Sequence, residues 1–332
     1  MSTSRRLTAG AFAGAVALVA SACNTTATAE GADWQPTKAI EMIAPANTGG
    51  GWDTLARTSA RVLEEADLID RPMRVVNKPG AGGAIGWAYI ANNAADPHKL
   101  FVTSPPILLV PLSGESDHDH TDFTPIARLA TDAMVYMVAE NSPFTSFEQV
   151  IDALLDDPTS LSVAGGSAPG SMDHVALAGA AHAAGVDAAQ LNYVAFDGGG
   201  EATTALLGGH VDLAVSGVAE TTGLIDGGKV RVLAVSSPEP RETLPDVPTL
   251  QQLGIDFTFD IWRGVMGPSG LTPEQVAYYE GMYAEMVETS QWQASVEQFG
   301  WVDDYLGSAD FGAFLDEKRE EFADILSQVG LR

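Results

Sequence analysis

Positive charge is scarce in this chain, and cysteine is almost absent. Five lysines and twelve arginines stand against 44 Asp plus Glu in 332 residues, a formal net charge of −27. That balance excludes nucleic acid as a partner, because a phosphate backbone needs a basic face and none is visible. It also excludes a polybasic tether to anionic lipid. The single cysteine, Cys23, leaves no intrachain disulfide and no CxxC metal or redox site. No GxxxxGK[ST] stretch occurs, so there is no P-loop. Gly80-Ala81-Gly82-Gly83-Ala84-Ile85-Gly86 approaches a dinucleotide fingerprint, but its third glycine comes one residue late, and no cofactor is expected. Charged residues make up only 18% and hydrophobic ones 45%, which argues against disorder and allows a core for two ordinary domains.

The first residues point to export. Arg5 and Arg6 precede an apolar run, Leu7 to Ala20, that ends in Ser21-Ala22-Cys23. A basic start, an apolar stretch of this length and small residues at its end describe an export signal over 1–22. The run is short for a membrane-spanning helix, and no second long apolar segment follows it. The position of Cys23 resembles a bacterial lipobox, with Ala20 in place of the usual leucine. Lipidation at Cys23 would hold the protein on the outer side of the membrane. Residues 23–35 are small and polar and read as a tether. Removing the signal takes away Arg5 and Arg6 and no acid, which lowers the charge from −27 to −29.

Beyond the tether, apolar strands alternate with helices. Ala39 to Ala44, Met73 to Val76 and Leu100 to Thr103 read as strands. Helices about Asp53 to Ile69 and Ala84 to Asn92 separate them. The pattern restarts after Asn141-Ser142-Pro143, with strands at Leu161 to Ala164, Leu191 to Ala195, Leu213 to Ser216 and Val230 to Ser236. Such alternation predicts α/β units with largely parallel strands and helices on both faces. The C-terminal third reads as helices over Pro273 to Glu288, Gln291 to Phe299 and Ala309 to Val329.

One device recurs three times: a strand end, a Gly/Ser-rich turn and a helix start. It appears at Ala46-Asn47-Thr48-Gly49-Gly50-Gly51-Trp52-Asp53, at Gly165-Gly166-Ser167-Ala168-Pro169-Gly170-Ser171 and at Phe196-Asp197-Gly198-Gly199-Gly200. Glycine lets backbone N–H groups approach a ligand, and a helix start adds unpaired donors with partial positive charge. Such turns hold anions without lysine or arginine. Each helix end contributes only ~0.3–2 kcal/mol, whereas a micromolar ligand needs about 8 kcal/mol. Several donors must therefore converge. Arg263, in Trp262-Arg263-Gly264, is the best-placed cation, unless a structural ion pair consumes it. Asp117-His118-Asp119-His120 could ligate Zn²⁺ or Ni²⁺, but it lies in a polar stretch that reads as a solvated loop, and no metal is assigned there. Ser167, Ser171 and His174 could suggest a nucleophile and base, yet no G-x-S-x-G elbow or orienting acid accompanies them.

These motifs, in this order, resemble the substrate-binding proteins of tripartite tricarboxylate transporters, the TctC/Bug family. Ile40 to Pro45 with Gly49 to Asp53, Val76 to Gly83, Gly166 to His174, Tyr193 to Gly200, Leu206 to Asp212, Leu244 to Thr249 and Trp262 to Gly264 carry the likeness, which spans about Pro36 to Arg332. The turn at Gly49 to Asp53 and the Trp262-Arg263-Gly264 segment point to the tricarboxylate-type branch. The resemblance implies a two-lobed periplasmic-binding-protein fold of type II, each lobe a sheet flanked by helices, with two crossovers. Lobe 1 would comprise 36–136 and 260–332, and lobe 2 would comprise 137–259. It implies ligand contacts from Asn47, Thr48, Gly51, Trp52, Asp53, Thr103 and Ser104 in lobe 1, with Arg263. From lobe 2 it implies Gly166, Ser167, Ser171, His174, Asp197 and Gly199. Asp53 would cap its helix or order water rather than touch an anion. The function implied is a monomeric, extracytoplasmic, lipid-anchored receptor that passes a small carboxylate such as citrate to membrane permease subunits, with no catalysis. A sensory receptor for a signalling kinase is the first alternative, and an exported hydrolase the second.

Overall fold

The computed structural model describes residues 34–331. Cys23, the export signal and most of the tether lie outside the described residues. In β1 (Ile40–Ala44), Ile40, Met42 and Ala44 enter one core while Ile43 enters another, the two-residue alternation of a strand covered on both faces. Helix α1 (Gly51–Glu65) buries Leu55, Ala56, Val62 and Leu63 against β1. It stops at Glu65, and Asp67 adopts a positive φ of 53°, so Ile69 falls past the helix that periodicity had extended to it.

The first half continues with β2 (Met73–Asn77), α2 (Ala84–Ala91), β3 (Lys99–Thr103) and α3 (Pro106–Leu112). A long strand, β4 (Phe123–Ala139), then leads to α4 (Phe147–Asp156), β5 (Ser162–Gly165), α5 (Met172–Ala183), β6 (Asn192–Ala195), α6 (Gly199–Leu207), β7 (Leu213–Gly217), α7 (Val218–Asp226) and β8 (Val230–Val235). The chain returns through β9 (Asp260–Pro268), α8 (Pro273–Val287), α9 (Ser290–Phe299), β10 (Val302–Leu306) and α10 (Ser308–Gln328).

The strands run in the order β2-β1-β3-β9-β4-β7-β5-β6, with β8 and β10 also on β4. β1 pairs in parallel with β2 and β3, and β5 with β6 and β7. The centre differs from the largely parallel expectation: β4 is antiparallel to β7, β8, β9 and β10, and β3 is antiparallel to β9. The physical reason is the return of the chain, since β9 must insert between β3 and β4 from the opposite end. β4 serves both halves. Phe123 to Ala133 pair with β9, and Met134 to Met137 pair with β7. α10 packs on α3 and on α5, which adds a second connection between the halves. Among the described residues, no helix is long and apolar enough to cross a membrane.

Candidate functional site

Strands β1, β5 and β6 each end at a glycine turn and a helix start. β1 runs with β4 whereas β5 and β6 run against it, so the helix starts of the two halves face each other near the middle of β4, about Ala133 and Met134. In the first turn Gly49 has φ 90°. Its N–H donates to Asp53 Oδ2 at 2.9 Å, Asn77 Nδ2 donates to Asp53 Oδ1 at 2.8 Å, and Arg57 Nε donates to the same carboxylate at 2.9 Å. Burial opposes the charge on Asp53, but these donors outweigh it and hold the carboxyl below its usual range. Asp53 thus shapes the turn. Asn47 and Thr48 are exposed, and Asn47 Nδ2 donates to the Asp197 carbonyl at 3.3 Å, linking the first turn to the third. Trp52 Nε1 donates to Ser104 Oγ at 2.9 Å, and the ring lies edge-on to Trp87. Thr103 and Ser171 have buried hydroxyls with no hydrogen-bond partner among the described residues.

The second and third turns pack backbone on backbone. A Cβ on Gly166 would stand closer than 3.0 Å to main-chain atoms of Gly198 and Gly199. Gly198 has φ 128°, a conformation open to glycine, and it lets Gly199 begin α6 against Gly166. Tyr193 Oη donates to the Ser167 carbonyl at 2.7 Å, and Asp173 N–H donates to Ser167 Oγ at 3.0 Å. His174 stacks on Tyr193 with centroids 4.3 Å apart, and its Nδ1 accepts the Gly170 N–H at 3.1 Å. The imidazole is spent on the turn, and the Ser167 hydroxyl on the Asp173 amide.

Burial pushes Asp173 up to about 7, aided by the Glu220 charge and opposed by the Ser167 hydroxyl and the Gly166 N–H. Burial pushes His174 down to about 4. These shifts act on stability with opposite signs. Folded Asp173 keeps a proton that the unfolded chain loses near 3.8, so its contribution is full at low pH and is lost as pH rises through 7. Unfolded His174 takes a proton near 6.5 that the folded side chain refuses, so its contribution is full above 6.5 and is lost as pH falls through 4. Relative to wild type, Asp173→Asn should lose ~3 kcal/mol of unfolding free energy as pH falls from 7 to 4. His174→Gln should gain a similar amount over that range. Urea unfolding at several pH values checks this, and parallel profiles for the three proteins would refute it.

Three residues that the sequence did not single out, Glu220, Ser216 and Asp132, complete the floor together with Arg263. Glu220, in the first turn of α7, accepts the Gly51 N–H on Oε1 at 2.8 Å and the Ser216 hydroxyl on Oε2 at 3.3 Å. Arg263 and Asp132, 2% and 0% exposed, form an ion pair at 2.6 Å across the β4–β9 ladder. Cβ atoms on Gly51 and Gly199 would each fall closer than 3.0 Å to Glu220, and one on Gly51 equally close to Arg263. Two signals were present. Gly217 followed by Glu220 repeats the strand-end, helix-start device, and Asp132 is the one charge in the apolar stretch Leu129 to Ala139. The structure therefore brings Asn47 to Asp197, Gly166 to Gly199, and Gly51 with Gly199 to Glu220. It pairs Trp52 with Ser104, and it ties Arg263 to Asp132.

The Asp117 to His120 stretch is spent on local structure. His120 is buried, contrary to the expected solvated loop, because its Nε2 meets Asp316 on α10 at 3.0 Å. Asp119 accepts the Thr121 N–H, and His118 Nδ1 lies 3.2 Å from Asp122. No group of three metal-ligating side chains occurs among the described residues.

A family model described as "Tripartite tricarboxylate transporter family receptor" matches residues 56–331. The chain is similar to a TctC solute-binding protein from Polaromonas, with 30% identity and a TM-score of 0.67, over 88% of this chain and 99% of that one. Periplasmic binding protein BugD shares the fold at 24% identity and a TM-score of 0.80, over 90% and 99% of the chains. MatC from Rhodopseudomonas palustris, solved with bound malate, shares it at 22% identity and a TM-score of 0.79, over 88% and 99%.

Proposed function

The chain belongs to the tripartite tricarboxylate transporter receptor family, and from that membership we propose that it captures a small carboxylate between two lobes and delivers it to permease subunits. The lobes are 36–136 with 260–332, and 137–259. β4, the return into β9, and α10 connect them, so closure is a hinge motion about these elements. The observation that carries this reading is the convergence of the helix starts at Gly51 and Gly199 on one carboxylate, that of Glu220. A position that accepts one carboxylate suits another.

The ligand is held by uncharged donors: N–H groups of the three turns, the Asn47 amide, and the hydroxyls of Thr103, Ser104 and Ser171. Buried hydroxyls without partners, as at Thr103 and Ser171, are satisfied by ligand or by bridging water. No covalent step occurs. Neither the Ser167 nor the Ser171 hydroxyl hydrogen-bonds His174, whose Nδ1 is already occupied. An acidic protein binding an anion gains nothing from its global field, so association should quicken with ionic strength. We place the protein outside the cytoplasmic membrane, anchored through lipidated Cys23, as a monomer.

The test is thermal unfolding of refolded protein with malate, citrate, adipate and aromatic carboxylates. A ligand at ~100 Kd should stabilise the protein by ~2.7 kcal/mol. No shift with any of these acids would refute carboxylate capture.

A further inference from the structure

Glu220 is part of α7, yet its carboxylate caps a different helix. Gly51 is the first residue of α1, and its N–H is one of the four that a helix start leaves unpaired. Glu220, 169 positions away in sequence, fills that vacancy at 2.8 Å. The other carboxylate oxygen lies against Gly199, the first residue of α6, where a Cβ would collide with it. One side chain therefore stands between two helix starts in different halves of the molecule. Glycine at both positions is what gives it room.

An ion pair does not explain this placement. Arg263 is the nearest cation, but its ion pair is with Asp132 at 2.6 Å, and among the described residues it makes no ion pair with Glu220. The charged and titratable groups facing Glu220 are Arg263 from β9, Asp132 from β4 and Asp173 from α5. α1 and α6 present only the main chain of Gly51 and Gly199. Asp132 already pairs with the one cation, and Asp173 adds a negative charge only above about 7, so the site offers a further carboxylate no free countercharge.

We propose that the Glu220 carboxylate is the resident occupant of the carboxylate position between α1 and α6: it holds the ligand-free halves together, and an incoming carboxylate must displace it. Glu220 thereby acts as a specificity-determining residue. A ligand gains the Gly51 donor only by expelling a charge that already uses it, and the expelled charge then repels the ligand. Burial raises the Glu220 carboxyl above its usual range, which Arg263 and the Gly51 N–H oppose. Once protonated, Glu220 becomes a poorer acceptor for Gly51 and a donor to the incoming acid. Carboxylate affinity in wild type therefore rises as pH falls. The ligand part of this proposal rests on the carboxylate reading above, whereas the closure part does not.

Two measurements separate these parts. Calorimetric titration with malate, citrate and adipate compares wild type with Glu220→Gln at pH 7.5 and 5.5. Gln keeps the shape and removes the charge. The expected result is at least tenfold tighter binding by the variant at pH 7.5, with the gap narrowing at pH 5.5. Equal or weaker binding by the variant at both values overturns the proposal and leaves the carboxylate reading intact. Small-angle scattering of ligand-free Glu220→Ala should show a larger radius of gyration than wild type. If no acid binds either protein but the ligand-free variant opens, Glu220 remains the closing contact and the carboxylate reading fails. If no acid binds and the radius is unchanged, both fail. Should Glu220→Ala not fold by circular dichroism, ligand-free Glu220→Asp, whose carboxylate is one methylene too short to reach Gly51, serves in the scattering experiment.

Discussion

Replacing Gly166 by alanine is expected to cost about 3 kcal/mol of stability and to abolish carboxylate binding. The added Cβ would lie 2.8 Å from Gly199 Cα and closer still to Gly199 N and the Gly198 carbonyl carbon. All three are main-chain atoms, so no rotamer change relieves the collision. The second and third turns must separate, and α6 must shift with them. Its first residue, Gly199, would leave the position where it faces Gly51 across Glu220. Stability and binding fail together because one backbone contact sets both. Gly200→Ala is the control. A Cβ there meets nothing within 4 Å, the residue lies in α6 and its φ is not positive. That change should be neutral or stabilise by up to ~1 kcal/mol. Urea unfolding and malate or citrate titration of the two variants check the contrast. If Gly166→Ala behaves like Gly200→Ala, the packed junction of the turns is wrong.

The turns were legible because glycine punctuates them and the strands before them are short and apolar. Gly166, Gly199 and Gly51 could be selected from the sequence for that reason. What each glycine packs against could not be read, because a glycine's partner lies elsewhere in the chain. Glu220 shows the same limit. An acid in the first turn of a helix is what the dipole of its own helix favours, and nothing local says that it terminates α1 instead. Asp53 was easier, since its partners Gly49 and Arg57 lie within four residues.

The antiparallel centre escaped the reading for a different reason. β4 is buried along most of its length on both faces, so it lacks the alternation that marks a half-exposed strand. Pro125 lies within it, and the register with β9 shifts at two places. A run of this kind reads as a loop followed by buried chain. Yet β4 and β9 carry Asp132 and Arg263, so missing the strands meant missing the ion pair. Arg263 could be named as a cation near the cleft, while its partner had to wait for the ladder that aligns the two.

That ion pair supports the second large prediction. Arg263→Met should destabilise the fold by about 3–5 kcal/mol. Asp132 is fully buried. Its Oδ1 accepts the Ala133 N–H at 2.8 Å, and its Oδ2 has the Arg263 guanidinium at 2.6 Å. Methionine fills the aliphatic part of the side chain but leaves the carboxylate one hydrogen bond and no countercharge. Adding Asp132→Asn should recover most of the loss, because the amide keeps an acceptor for Ala133 and removes the stranded charge. A double-mutant cycle then gives a coupling that greatly exceeds the ~1 kcal/mol of an exposed pair. The pH dependence supplies a further check. Arg263 lowers the Glu220 carboxyl against the upward push of burial, so its removal raises that group. A folded-state carboxyl raised above its unfolded value favours the fold at low pH and loses that contribution as pH rises through its folded value. The deficit of Arg263→Met relative to wild type should therefore shrink as pH falls. A loss below about 1 kcal/mol, insensitive to pH, would mean that solvent reaches the pair and that the floor beneath Gly51 is open.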